Sequence, residues 1–173
     1  MSIRILSHAE AIAATPVLSD ILHATVLAGG SVNFCAPFSP EEARAYWTED
    51  ALPSIATGHR LLFAAHQFGM LKGTVSLDLA QQPNQPHRAD VAKLLVHPNA
   101  RRAGLAKALM EAVEAEAKAR GRWLLTLDTW SGSPAEKLYR SLGYRAAGRI
   151  PDFFLHPSNG SLQPTTYFYK RLT

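Results

Sequence analysis

A β-α-β unit between residues 89 and 129 constrains the fold more than any other stretch of the sequence. The apolar run "ADVAKLLV" (89–96) predicts a strand, residues 103–120 predict a helix, and "WLLTLDT" (123–129) predicts a second strand. A helical crossover of this length makes the two strands parallel and gives the connection a right-handed sense. The chain therefore needs a sheet with a parallel centre.

The crossover helix has the clearest periodicity in the chain. Its apolar residues recur at intervals of three and four, which puts them on one helical face: Leu105, Ala108, Leu109, Ala112 and Val113. Gly121 follows as a natural C-terminal stop. The pattern predicts a helix that packs one face on the sheet.

The flanking segments add helices and antiparallel strands. In chain order we predict a strand at 3–6, helical pieces over 8–28 interrupted at Pro16, a helix at 39–51, a hairpin over 59–80, a helix at 133–143, and strands at 144–150 and 165–172 around an irregular loop at 151–164. The expected fold is a single α/β domain over residues 1–173. It has a mixed sheet of about seven strands flanked by about four helices.

Composition excludes several classes of protein. The 173 residues are 47% hydrophobic and 18% charged, which suits one soluble domain. The formal net charge of +4 favours anionic partners, but no Lys/Arg block with interleaved aromatics points to nucleic acid. The single cysteine, Cys35, rules out a disulfide framework and a cysteine-cluster metal site, so we expect no metal. We find no signal-peptide or membrane-span pattern and expect a cytoplasmic protein.

The segment "VHPNARRAGLAKA" (96–108) joins the first strand to the crossover helix. A tight turn into a helix start exposes unpaired backbone N–H groups, and the helix dipole makes them an anion site. Gly104 leaves room for a close approach, and Arg101 and Arg102 add positive charge. The segment fails the Walker pattern and the dinucleotide fingerprint, because Gly104 stands alone and Leu105 follows it.

Two motifs resemble those of the GCN5-related N-acetyltransferase (GNAT) family. "LLVHPNARRAGLAKALM" is similar to its acetyl-CoA motif, Arg/Gln-x-x-Gly-x-Gly/Ala, with Arg102 where a glycine is common. "LDTWSGSPAEKLYRSLGY" resembles its second motif. "GGSVNF", "NQPHRADVAKLLV" and "QPTTYFYKRL" are similar to the tabtoxin-resistance branch of the family. The predicted order of elements matches the family fold over nearly the whole chain.

The resemblance implies acetyl-CoA as cofactor and a set of residues that bind it. The backbone of residues 101 to 106 would hold the pyrophosphate: Arg101, Arg102, Ala103, Gly104, Leu105 and Ala106. Leu94, Leu95 and Val96 would pair with the pantetheine arm where the two parallel strands splay apart, and Ser133 would lie on the cofactor's other side. A homodimer is also a family expectation.

The activity implied is acetyl transfer to a primary amine of a small molecule, including an amino-acid-like toxin or antibiotic. A protein lysine or N-terminus as acceptor, and a non-catalytic acetyl-CoA sensor, stay open as alternatives. A basic nucleic-acid binder is a remote fourth reading.

Tyr139 is the candidate general acid, since the family has a tyrosine at this place. A phenol with a pKa near 10 is protonated at neutral pH and can donate to a thiolate whose parent thiol has a pKa of about 8.5. The alternative is a core tyrosine, because Ala135, Leu138, Tyr139 and Leu142 share one helical face.

Asp128 and Asp90 are the candidate bases. Asp128 lies near the carboxyl end of a parallel strand, where α/β sheets place ligands, and Asp90 begins the neighbouring strand. The alternatives are a turn cap for Asp128 and plain exposure for Asp90. An acceptor pocket is expected between the loop carrying Asn33, Phe34 and Phe38 and the later loop carrying Phe153 and Phe154.

Overall fold

One seven-stranded mixed sheet organises the molecule. The computed structural model describes all 173 residues. Its strands are β1 (Ser2–Leu6), β2 (Arg60–Gln67), β3 (Met70–Leu79), β4 (Arg88–Val96), β5 (Leu124–Trp130), β6 (Arg145–Leu155) and β7 (Leu162–Arg171). Their order in the sheet is β1-β2-β3-β4-β5-β7-β6. The pair β4–β5 is parallel and every other pair is antiparallel, which confirms the predicted mixed α/β fold.

Helices cover both faces of this sheet. They are α1 (His8–Leu27), α2 (Pro40–Ala45), α3 (Leu52–Ala56), α4 (Leu105–Ala119) and α5 (Pro134–Ser141). A π-helical turn, Tyr46–Ala51, joins α2 to α3, so residues 40–56 form one continuous segment, longer than the predicted 39–51. The first three helices share a core with Leu62 and Leu95, whereas α4 and α5 pack on the other face.

Helix α1 runs without interruption through Pro16, where the sequence predicts a break. A proline inside a helix costs about 3 kcal/mol, but Pro16 faces solvent while the opposite side of α1 buries eight residues. By length and mean hydropathy (1.2) α1 could also cross a membrane. Its buried side, including Leu18 and Leu22, contacts the sheet, as in the core helix of a folded domain.

A β-bulge in β4 reverses which face of the sheet its side chains reach. Lys93 and Leu94 together lie opposite one residue of β3, and Lys93 has a φ of 51°. One extra residue shifts the alternation of a strand by one position. Val91 therefore joins the core beneath α4, whereas Leu95, four residues later, joins the core beneath α1.

Strands β4 and β5 pair over only three residues before they diverge. The paired positions run from Arg88 with Leu124 to Asp90 with Thr126. Beyond Asp90, the edge of β4 that faces β5 has no strand partner. The splay predicted at this point is therefore present, and it opens a gap in the centre of the sheet.

The predicted irregular loop at 151–164 is wrong for most of its length. Strand β6 continues to Leu155, and β7 begins at Leu162. The pairing shifts between Ile150 and Phe154, around Pro151. An edge strand accepts a proline and a register shift because one of its sides makes no ladder hydrogen bonds. The sequence pattern therefore predicts the first half of β6, at 144–150, but not its continuation past Pro151.

The bulge predicts that a side chain at Gly73, which pairs with Val96, would destabilise the fold. A Cβ at Gly73 would lie 2.9 Å from the carbonyl oxygen of Leu95 and 3.4 Å from Cδ1 of Leu109. We expect Gly73→Ala to lower the free energy of unfolding by about 1–3 kcal/mol, measured by thermal or urea denaturation. Gly148→Ala is the matched control: it is in edge strand β6, has no atom within 4 Å of the added Cβ, and should stay within about 0.5 kcal/mol of the parent. Equal losses in both variants would contradict this reading of the bulge.

Candidate active site

Helix α4 begins with a row of unpaired backbone donors. Serine side chains cap α1, α2 and α5, but α4 has no side-chain cap and starts at Gly104 with a φ of 79°. No backbone N–H from Arg101 to Lys107 donates a hydrogen bond within the chain. Because these donors gather at the positive end of the helix dipole, they form a site for an anion.

A groove beside these donors leads toward the centre of the sheet. This feature, the α4 groove, has a volume of about 460 Å³ and is bounded by Arg101, Ala106, Val96, Ser133 and Leu138, among other residues. Ser133 also caps α5, since its Oγ accepts from the Glu136 N–H at 3.2 Å. The groove therefore runs between the start of α4 and the start of α5.

A second cavity occupies the gap between β4 and β5. This β4–β5 pocket has a volume of about 340 Å³ and is lined by Val91–Leu94, Asp128–Trp130, the loop Ser31–Cys35, Phe153–Leu155, Ala135, Tyr139 and Thr165. Six residues line both cavities: Ser31, Val32, Leu94, Thr129, Trp130 and Ala135. The groove and the pocket are thus contiguous, and a long ligand in the groove reaches the pocket through the splay.

Tyr139 lies at the inner wall of the pocket. Its side chain packs against Tyr144 and Phe168 and is only 6% exposed. Burial raises the pKa of the Tyr139 phenol above its usual value, and the carboxylate of Asp128 adds to the rise. The residue is thus both a core tyrosine and a pocket residue, and its phenol keeps its proton at neutral pH.

Asp128 faces the same pocket from β5. Its Oδ2 accepts from Thr165 Oγ1 at 3.0 Å, and that hydroxyl is also 2.9 Å from the carbonyl oxygen of Thr129. The side chain is exposed to the cavity rather than tied to a turn. A carboxylate fixed on one side can accept a proton or hold an ammonium group on the other.

Asp90 lies outside the pocket lining. Its Oδ1 accepts from Arg88 Nη1 at 2.5 Å and from the hydroxyl of Thr126, at the closed end of the splay. Asp128 is two residues beyond Thr126 on β5. Of the two predicted bases, Asp128 therefore lines the cavity, whereas Asp90 lies outside it, where β4 and β5 are still paired.

The loop after α1 supplies two of its three predicted pocket residues. Asn33 and Phe34 line the cavity, whereas Phe38 is 6% exposed and packs beneath Phe34, with ring centroids 4.7 Å apart. The prediction of Phe38 as a contact residue is corrected: it supports the wall from within the core. Phe153 and Phe154 do reach the pocket, from strand β6 rather than from a loop.

Lys93 and Trp130 are among the pocket residues that sequence reasoning missed. Lys93 interrupts the apolar run of β4, and only the bulge turns it toward the cavity. Trp130 ends β5, lines both cavities, and donates from Nε1 to Gln163 Oε1 at 3.1 Å. A polar residue within "VAKLLV" was the one available signal for Lys93.

Comparison with known protein families shows which family this chain belongs to. Residues 58–146, about half of the chain, match the family model described as an acetyltransferase (GNAT) domain. The chain belongs to the GNAT acetyltransferase family. The matched region contains the α4 donors, Lys93, Asp128 and Tyr139, but not the loop at 31–38 or the end of β6. The GNAT match thus leaves out two walls of the β4–β5 pocket.

Individual relatives agree with this assignment. An uncharacterized N-acetyltransferase encoded in the hisH-hisA intergenic region of Azospirillum brasilense is 34% identical over 113 residues, which cover 64% of this chain and 65% of that protein. The ribosomal-protein-alanine N-acetyltransferase of Brucella melitensis has the same fold, with a TM-score of 0.78, 21% identity, and coverage of 99% of this chain and 100% of that one. The Salmonella typhimurium protein yncA, solved with its cofactor acetyl-CoA, has a TM-score of 0.74 at 19% identity, covering 100% and 94%.

Proposed function

We propose that this GNAT protein is an acetyl-CoA-dependent N-acetyltransferase that acetylates a primary amine of a small molecule. The observation that carries the proposal is the continuity of two unlike cavities. An anion-binding helix start opens into the α4 groove, and the groove shares six lining residues with a pocket that contains an acid and a base. This arrangement suits a cofactor with a phosphate at one end and a reactive group at the other.

The unpaired backbone groups fit the cofactor. The donors of residues 101 to 106 suit a pyrophosphate, and Gly104 leaves the space around them open, with no atom within 4 Å of where a Cβ would stand. The free edge of Leu94, Leu95 and Val96 suits the amides of a pantetheine arm. Bound acetyl-CoA would supply an activated acetyl thioester at the pocket.

Two side chains would manage the protons of the transfer. Asp128 would accept the proton that the acceptor ammonium must lose before its nitrogen can attack. Tyr139 would donate its phenolic proton to the thiolate sulfur that leaves as the new N–C bond forms. Because burial raises the pKa of Tyr139, its phenol is protonated at neutral pH before the transfer begins. Asp90, which accepts a hydrogen bond from the Thr126 hydroxyl, stays a second candidate base.

The finer parts of the proposal rest on the sequence resemblance to the tabtoxin-resistance branch. This resemblance extends the proposed acceptor to amino-acid-like toxins or antibiotics. A cytoplasmic location is proposed separately, from the N-terminal sequence pattern. A homodimer is a further expectation from the family. The exposed apolar side chains of Ile150, Leu155 and Leu162 on β6 and β7 are available for such a contact.

Two glycine substitutions, one at each end of α4, test the proposed cofactor site. Gly104 and Gly121 both have left-handed backbone, with φ values of 79° and 72°, and neither has a neighbour within 4 Å of an added Cβ. Gly104→Ala and Gly121→Ala should therefore cost similar stability, about 1 kcal/mol each. Only Gly104→Ala should weaken coenzyme A binding. The dissociation constant should rise by about tenfold or more, as expected for the loss of one charge-assisted hydrogen bond. Isothermal titration with coenzyme A measures this, and equal affinities in the two variants would refute the assignment.

The general acid is tested by Tyr139→Phe. We expect kcat for acetyl transfer to fall by about 100-fold, because the leaving thiolate loses its proton donor. Free thiol release from acetyl-CoA with a panel of amines measures the rate, and coenzyme A affinity should not change. Tyr144→Phe is the matched control: its ring lies 5.8 Å from that of Tyr139, but it does not line the pocket. Unchanged turnover and an unchanged pH profile in Tyr139→Phe would show that another group protonates the sulfur.

A further inference from the structure

Lys93 places an ammonium group in the β4–β5 pocket with little to bind it. Its Nζ donates to the carbonyl oxygen of Val32 at 3.0 Å, and it lies 5.5 Å from the ring centroid of Phe34 and 5.2 Å from that of Tyr46. The carbonyl and the ring faces favour a cation. A lysine ammonium has three donors, and the fold uses one of them on oxygen.

Two other half-buried cations of this protein, Arg60 and Lys170, have carboxylate partners. Arg60 donates to both oxygens of Asp78, at 2.6 and 2.9 Å, and Lys170 donates to Glu114 at 2.6 Å. Lys93 has no carboxylate within 4.0 Å. Removing a cation from water without an anionic partner is unfavourable, so an anionic group of a ligand beside Lys93 would offset that cost.

The carboxylates near Lys93 do not pair with it, so an anionic partner for its ammonium group would have to come from a ligand in the cavity. Arg60 on β2, Asp78 on β3 and Asp50 in the π-helical turn form their own cluster, in which Arg60 already binds both acids. Asp128 faces the pocket from the opposite strand. Burial, and then Arg60, lowers the pKa of Lys93, whereas Asp50, Asp128 and Asp78 act in the opposite direction. An anion in the cavity would hold the lysine in its charged form.

We propose that Lys93 binds a carboxylate of the acetyl acceptor, so that the acceptor is an amino acid or a molecule that carries a free carboxylate beside its amine. The inference rests on the proposed function. The pocket carries one cation on β4 and one carboxylate on β5, between apolar surfaces from Phe34, Trp130 and Phe153. A zwitterion with an apolar spacer complements this pocket: its carboxylate meets Lys93, its ammonium meets Asp128, and its methylene groups contact the aromatic walls.

A kinetic comparison tests this assignment. The acceptors are the ω-amino acids from glycine to 6-aminohexanoate, each paired with its primary carboxamide, with kcat/KM corrected for the fraction of free amine. We expect the best amino acid to exceed its carboxamide by about tenfold or more, as for a charge-assisted hydrogen bond. In Lys93→Met the ratio of kcat/KM for the amino acid to kcat/KM for its carboxamide should fall to about one. Lys93→Arg should retain part of the preference.

Lys118→Met is the control for the loss of a positive charge. Lys118 is exposed at the far end of α4 and does not line either cavity, so this variant should keep the full preference. Equal rates for amino acids and carboxamides in the parent protein would overturn the inference and leave the proposed transferase activity intact. A preference that survives in Lys93→Met would also overturn it.

A binding measurement separates the inference from the activity. The protein saturated with coenzyme A is titrated calorimetrically with 5-aminovalerate and with its carboxamide, which requires no turnover. Tighter binding of the carboxylate in the parent, lost in Lys93→Met, supports the role of Lys93 even if no amine is acetylated. In that case the proposed transfer activity fails and the carboxylate site stands. No difference between the two compounds refutes the carboxylate site.

Discussion

The parting of β4 and β5 after three residue pairs is the constraint on which the rest of the structure depends. Continued pairing would close the centre of the sheet, remove the β4–β5 pocket and occupy the free edge of Leu94–Val96. The bulge at Lys93 assists the parting, because it turns β4 and sends Val91 and Leu95 into different cores. Gly73 permits that turn by leaving room for the carbonyl oxygen of Leu95.

The anion site could be predicted from the sequence because it depends on neighbours along the chain. A strand end, a glycine and a helix start lie within residues 96–108, and the backbone alone supplies the donors. No long-range contact is needed to expose them. The same holds for the serine caps of α2 and α5, where Ser39 and Ser133 act on residues three positions later. Features that depend only on residues close in the sequence can therefore be predicted without knowledge of the fold.

The pocket could be predicted only in part, because its walls come from distant segments. Lys93 turns inward through a register shift against β3 that no pattern in "VAKLLV" encodes, and Phe38 is buried because Phe34 lies above it. Asp128 and Asp90 look alike in sequence, yet the pairing of Asp90 with Arg88 holds it at the closed end of the splay. Only the first half of strand β6 could be predicted, because Pro151 is typical of a loop unless the strand is known to lie at the edge of the sheet.

The proposed function therefore assigns cofactor binding and acceptor choice to different parts of the fold. The GNAT match covers the donors of α4 and both strands of the splay, whereas the loop at 31–38 and the end of β6 close the pocket from outside it. In the proposed complex the phosphate is bound by backbone groups, which every residue type carries, whereas the pocket offers the acceptor particular side chains. In this chain the cation on β4 and the carboxylate on β5 lie on the two strands that diverge. The angle of the splay then fixes the distance between the charges, and with it the length of a zwitterion that can meet both.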